Sequence, residues 1–167
     1  MLLTKYIAED CIVADLGTET KADALKALTH LLCDTKRIKS VPAALDQIMA
    51  REMTESTGIG RGIAVPHARV AGLNKLVCAV GRIPEGIDYM AVDKKPVHLI
   101  FMICYPPTQQ TIYLNFIATL ARLLREKDQL AALMTAKTAA DMFAELEKFS
   151  TAVENPEEAY KGKLQAD

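Results

Sequence analysis

Two stretches in the middle of the chain, KLVCAVGRI at Lys75–Ile83 and PVHLIFMICY at Pro96–Tyr105, are apolar almost without a break. They have the length of strands, and turn residues bound them: Pro84-Glu85-Gly86 after the first, Asp93-Lys94-Lys95 before the second. Strands of this kind have no face left for water. A sheet built from them needs a helical layer on each side. A third short, branched run at Ile63–Val65 reads as another strand. The flanks supply the helices. The spacing predicts one over 20–36, where Thr20 and Asp23 match a capping box and Leu25, Leu28, Leu31 and Leu32 share a face. A second, over 42–54, opens at Ser40 and Pro42 and turns Leu45, Ile48 and Met49 inward. After the strands come a helix over 109–126, a shorter one near 127–136, and one near 139–149 that opens with Thr138 and Asp141 as its capping box. The expected fold class is therefore α/β, a three-layer α/β/α sandwich whose strand order the sequence leaves open.

At 167 residues the chain reads as one domain over 1–150, followed by a polar tail over 151–167 that is mobile or a loosely held helix. It has no internal repeat or linker. Charges of both signs are interspersed and sum to −1, so no basic face is offered to nucleic acid. No apolar run approaches the length that spans a bilayer, and MLLTKYIAEDC is not a signal peptide. Cys11, Cys33, Cys78 and Cys104 are scattered among apolar neighbours, as reduced buried thiols of a cytosolic protein are. Their spacing does not resemble a zinc site, and no metal or cofactor is expected. A cysteine or metal hydrolase built on His67 is disfavoured because no base or ligand cluster stands beside it in sequence.

The chemistry concentrates in STGIGRGIAVPHAR, from Ser56 to Arg69. Glycines at 58, 60 and 62 permit positive φ and a close approach of backbone to a ligand, and successive amides in such a turn can cradle an anion. Ser56 and Thr57 add hydroxyls; Arg51, Arg61 and Arg69 add charge that suits phosphate. His67 follows Pro66, which biases Val65 toward an extended backbone. A neutral imidazole that attacks a phosphoryl group fits these parts, since its ordinary pKa of about 6.5 leaves much of it uncharged near neutrality. The bland alternative stays open on the residues alone. Such a turn is often only a turn, GIGRG is neither GxGxxG nor a P-loop, and a histidine after proline is commonly structural.

The run from Arg51 to Arg69 resembles the signature of the type-2 IIA domains of the bacterial phosphoenolpyruvate:sugar phosphotransferase system, the fructose/mannitol class and its nitrogen-related regulatory relative. DCIVADL, KADALKALTHLL, KPVHLIFMICYP and YLNFIATLARLL also have counterparts in that family's order, so the resemblance covers residues 5–149. It implies a mixed central sheet and a cytoplasmic protein that takes a phosphoryl group from a histidine-phosphorylated, HPr-like carrier protein. It implies an acceptor that is either a IIB domain on the way to sugar or a regulatory target, with the nitrogen-type regulator slightly favoured by chain length and the short tail. His67 matches the phosphorylated histidine and Arg51 an arginine beside it. Ser56 and Thr57 fall where the phosphoryl pocket is expected, Gly58 and Arg69 are counted with them as phosphoryl-binding, and Arg69 could equally point to solvent. Two positions depart. Tyr113 stands where many members carry a second histidine; it could hold the ring or a phosphoryl oxygen, or mark a binding module whose transfer is weakened or lost. His98 stands where relatives often have an acid, and reads as a hydrogen-bonded core histidine. Arg61 replaces a commonly polar or acidic residue and reads as solvated. Tyr89 and Tyr105 read as core or rim, and His30 carries no role.

Overall fold

The computed structural model describes residues 1–154, so 155–167 of the expected tail lie outside the described residues. Strand β5 (Val77–Ile87) pairs antiparallel with β6 (Val97–Tyr105), from Val77 opposite Cys104 to Ile87 opposite Val97. On the far side of β5, the short β1 (Ile12–Val13) runs parallel to it at Val80 and Gly81. On the far side of β6, two short strands run parallel to it end to end: β3 (Ile63–Ala64) beside Leu99 and Ile100, then β4 (His67–Arg69) beside Ile103 to Tyr105. β2 (Gly58–Gly60) folds back antiparallel on β3. The sheet is mixed, and β4 pairs only with β6.

Side chains along β6 alternate between two separate cores, as a period-2 strand must when both faces are covered. Leu99, Phe101, Ile103 and Tyr105 pack with α3 (Gln110–Arg125), α4 (Lys127–Thr135) and α5 (Ala139–Glu154). Ile100, Met102 and Cys104 pack with α1 (Lys21–Asp34) and α2 (Val41–Thr54). This is the three-layer sandwich. The caps follow the expected chemistry: the hydroxyl oxygens of Thr20, Ser40 and Thr138 accept from the amides of Asp23, Ala43 and Asp141.

Three expectations need correction. β5 continues through Pro84-Glu85-Gly86 instead of turning there. It has lost its β1 neighbour by that point, so Pro84 forfeits no ladder bond, and a register shift between Arg82 and Ile87 absorbs the irregularity. The last helix runs to Glu154 rather than 149. Ser150 within it is fully buried, accepting from Leu3 N at 3.1 Å and donating to Leu146 O at 2.8 Å, because the N-terminal segment covers that turn. Cys33 is half-buried, while Cys11, Cys78 and Cys104 are buried; all four are free thiols.

Candidate functional site

Because β4 is paired on one side only, the sheet edge at His67 is open to both helical layers. Arg51, in the last turn of α2, reaches the ring from one layer and Tyr113, in the first turn of α3, from the other. His67 Nδ1 lies 3.0 Å from Val65 O, and Arg51 Nε donates to His67 Nε2 at 3.2 Å. A carbonyl can only accept and a guanidinium N–H can only donate. The two contacts therefore agree on one tautomer: Nδ1 carries the proton and Nε2 the lone pair. Burial is the largest influence on this half-buried imidazole and pushes its pKa below the ordinary value. The Arg51 charge pushes the same way, while the Val65 carbonyl and the Glu52 charge push back. The ring is held neutral, with its nucleophilic nitrogen under a cation.

A cavity of about 350 Å³ opens beside it. Arg51, His67, Tyr113 and Ser56 lie at its polar end; Ile59, Val65, Val92, Ile117, Leu120 and Leu124 line the rest. The Tyr113 ring stands 5.5 Å from the His67 ring and stacks on Tyr105 at 4.2 Å, nearly parallel. Burial first, and then Tyr105, raise the Tyr113 phenol, so it remains a neutral donor. Arg69, in contrast, is not brought to the cavity. It is exposed, donating to the Tyr105 hydroxyl at 3.3 Å and to Gln110 Oε1 at 2.8 Å.

The glycines of the glycine-rich stretch make room for other segments of the protein. A Cβ on Gly58 would sit 2.8 Å from Ala91 Cα and Cβ. Gly60 and Gly62 do take positive φ, but Gly60 faces Asp93, and Gly62 faces Met134 and the His98 ring. Several donors of this segment already have partners within the protein. Gly58 N donates to Ser56 Oγ at 3.3 Å, and Ser56 Oγ donates to Tyr89 O at 3.0 Å. Thr57, which is buried, sends both its amide (2.8 Å) and its hydroxyl (2.6 Å) to the Glu52 carboxylate. Ser56, Thr57 and Gly58 thus form a wall of the cavity with their polar hydrogens turned inward. The sequence reading gave Glu52 no role, and it read Tyr89 only as core or rim; Tyr89 lies fully buried against Thr57. Nothing in the linear spacing ties Tyr89 to the wall.

Arg61 is not simply solvated: it donates to Leu124 O at 2.9 Å, meeting one of the orphan carbonyls at the end of α3. His98 Nδ1 faces the carbonyls of Ile83 and Pro84, far along β6 from the His67 pair; it is hydrogen-bonded as expected but half-buried rather than in the core. His30 is exposed. Among the described residues no cluster of His, Cys, Asp and Glu could hold a metal, and no helix is long and apolar enough to cross a membrane.

The profile of the family described as "Phosphoenolpyruvate-dependent sugar phosphotransferase system, EIIA 2" matches residues 5–149. The fructose-specific EIIA component of the PTS system of Haloferax volcanii is 37% identical over 130 residues, spanning 76% of this chain and 84% of that protein. The crystal structure of the nitrogen regulatory protein IIA-Ntr from Neisseria meningitidis is similar with a TM-score of 0.81 and 30% identity, over 87% of this chain and 99% of that one. Mannitol enzyme IIA of Escherichia coli, solved in complex with phosphorylated enzyme IIB, has a TM-score of 0.69 over 83% of this chain and 94% of its own. At 20% identity that likeness shows the fold alone.

Proposed function

Since the chain belongs to the phosphoenolpyruvate-dependent sugar phosphotransferase system EIIA 2 family, we propose that it is a phosphoryl carrier that accepts the group on His67 Nε2 from a histidine-phosphorylated, HPr-like protein. The observation that carries this reading is the pair of contacts on the ring, Val65 O at Nδ1 and Arg51 Nε at Nε2. The Nε2 lone pair attacks phosphorus; the donor's P–N bond breaks and its electron pair returns to the donor nitrogen. The proton stays on Nδ1, donated to the Val65 carbonyl, so the phosphorylated ring carries a positive charge beside the new dianion. Arg51 exchanges the lone pair it covers for the phosphoryl oxygens as they arrive, offsetting charge in a loose transition state. Ser56, Thr57 and Gly58 shape the pocket wall, Tyr113 offers one hydroxyl to a phosphoryl oxygen, and Arg69 supplies field from outside the cavity. The transferring unit comprises the described residues, 1–154. We place the protein in the cytoplasm, with no nucleic acid partner.

Transfer between proteins requires two sites pressed together in line. The large exposed apolar residues of the described chain support a docking face here. Met53, Ile59, Met90, Val92 and Leu114 each line the cavity or lie within two residues of one that does. The acceptor is a IIB domain or a regulatory target, the two classes named among the relatives. Incubation with phosphoenolpyruvate, enzyme I and carrier protein, followed by intact mass, tests the reading. One added phosphoryl is expected, absent in His67→Ala. Release of that group to a IIB domain identifies transport; a partner affinity that changes with phosphorylation identifies regulation.

A second reading is favoured by one residue. Tyr113 cannot carry the positive charge of the second histidine found in many members, so the chain would be a binding module with weak or lost transfer. No mass gain under conditions that label a relative would select it.

A further inference from the structure

Glu52, the residue after Arg51 in the last turn of α2, is only 5% exposed. Its carboxylate accepts from the Thr57 amide and hydroxyl at 2.8 and 2.6 Å and pairs with Lys21 Nζ at 2.7 Å. Lys21, the first residue of α1, also donates to Tyr89 O at 3.3 Å and lies 4.3 Å above the Tyr89 ring. The Tyr89 hydroxyl is 3.3 Å from Thr57 Oγ1. Four segments therefore meet on one carboxylate: the start of α1, the end of α2, the turn after it and the loop at 89. Burying an ion pair costs desolvation that the pair's attraction rarely exceeds by much, and packed apolar side chains often serve stability equally well. A charged cluster kept beside Arg51 is better explained by the geometry it imposes. The turn that the cluster clamps contains Glu55, whose carbonyl accepts from Arg51 Nη1 at 3.0 Å.

We propose that Lys21, Glu52 and Thr57 are positioning residues whose clamp fixes the turn at 55–57, so that the Glu55 carbonyl holds the Arg51 guanidinium on His67 Nε2. As a device for phosphoryl transfer this rests on the function proposed above; as a device that sets the state of the His67 ring it does not. The groups facing that ring are Arg51 from α2, Glu55 from the turn and Tyr113 from α3. Tyr105 stacks behind Tyr113, Arg69 lies farther along the ring's own strand, and Glu52 and Lys21 stand behind Arg51. Of these, the Arg51 cation is the one the clamp positions. Letting it go raises the ring's proton affinity.

Thr57→Val removes both contacts of the hydroxyl, with Glu52 and with Tyr89, without changing any charge. A pH titration of the His67 ring by NMR, on the full chain with no donor present, reads the effect. The midpoint is expected to rise in Thr57→Val toward that of Arg51→Ala, to stay at the wild-type value in Thr57→Ser, and to move no further when Thr57→Val is added to Arg51→Ala. That non-additivity separates action through Arg51 from general loosening. The rate of phosphorylation by the carrier protein should fall about tenfold in Thr57→Val, with KM for the carrier little changed. A folded Thr57→Val with a wild-type midpoint overturns the proposal, as does a shift that persists in the Arg51→Ala background. Should Thr57→Val fail to fold, Thr57→Ala is judged by the same two criteria. If the wild-type protein takes no phosphoryl group, the carrier reading fails while the titration still decides this one.

Discussion

His67 and His98 are held in nearly the same way and differ in what meets their other nitrogen. Both are half-buried, and both present Nδ1 to backbone carbonyls, Val65 O for the first and those of Ile83 and Pro84 for the second. At His67 the remaining nitrogen lies under Arg51 and faces a cavity. At His98 the far side of the ring closes over Gly86, where even a methyl group would come within 2.6 Å of Cε1 and 2.9 Å of Nε2. A carbonyl at Nδ1 therefore selects a tautomer in both rings; the open sheet edge and the Arg51 cation set His67 apart.

Substitutions can break this comparison. The largest effect is expected at His67→Ala, which should lose all labelling by the carrier protein, while His98→Gln keeps it; loss of label in both would remove the distinction. Arg51→Ala should slow labelling about a hundredfold, the usual scale for removing one donor from developing charge, measured by quenched-flow mass spectrometry. Gly86→Ala tests the sealed side. Its φ of +75° and the contact with His98 together predict a loss of roughly 2–3 kcal/mol in denaturant unfolding, with the His67 titration unmoved. The pH profile sharpens the open side. Burial and Arg51 lower the His67 pKa, so the labelling rate should hold as pH falls to about 6.5 and decline only below it. The sign for stability follows: the unfolded chain binds this proton more readily, so acidification from about 6.5 toward the folded value destabilises wild type more than His67→Gln. The smallest change is expected at Tyr113→His, a several-fold rise in labelling if the missing second imidazole limits transfer; no rise assigns the tyrosine to packing on Tyr105 alone.

Much of the architecture was legible because it rests on periodicity. KLVCAVGRI and PVHLIFMICY cannot be strands with a wet face, and Thr20, Ser40 and Thr138 mark helix starts by local hydrogen bonding. The short strands β1, β2 and β4 were not legible. They are two or three residues long, and their pairing comes from β5 and β6, not from any pattern of their own. The motif from Arg51 to Arg69 pointed to the candidate site, yet the neighbours of its glycines were not legible. Positive φ is visible in composition, whereas what the freed space accommodates, Ala91 or the His98 ring, depends on segments thirty residues away. The same holds for Glu52 and Thr57: five residues apart, they could have been linked, but Lys21 and Tyr89 could not.

The bond from His67 Nδ1 to Val65 O spans only two residues of chain. Proton location on the imidazole is consequently encoded in the tripeptide Val-Pro-His and does not depend on how tightly the helical layers close. A molecule loosened by heat, or bent by a docking protein, would keep the reactive nitrogen while surrendering Arg51 or Tyr113. Evolution can thus retune speed and choice of companion by editing α2 and α3 without re-inventing the reagent.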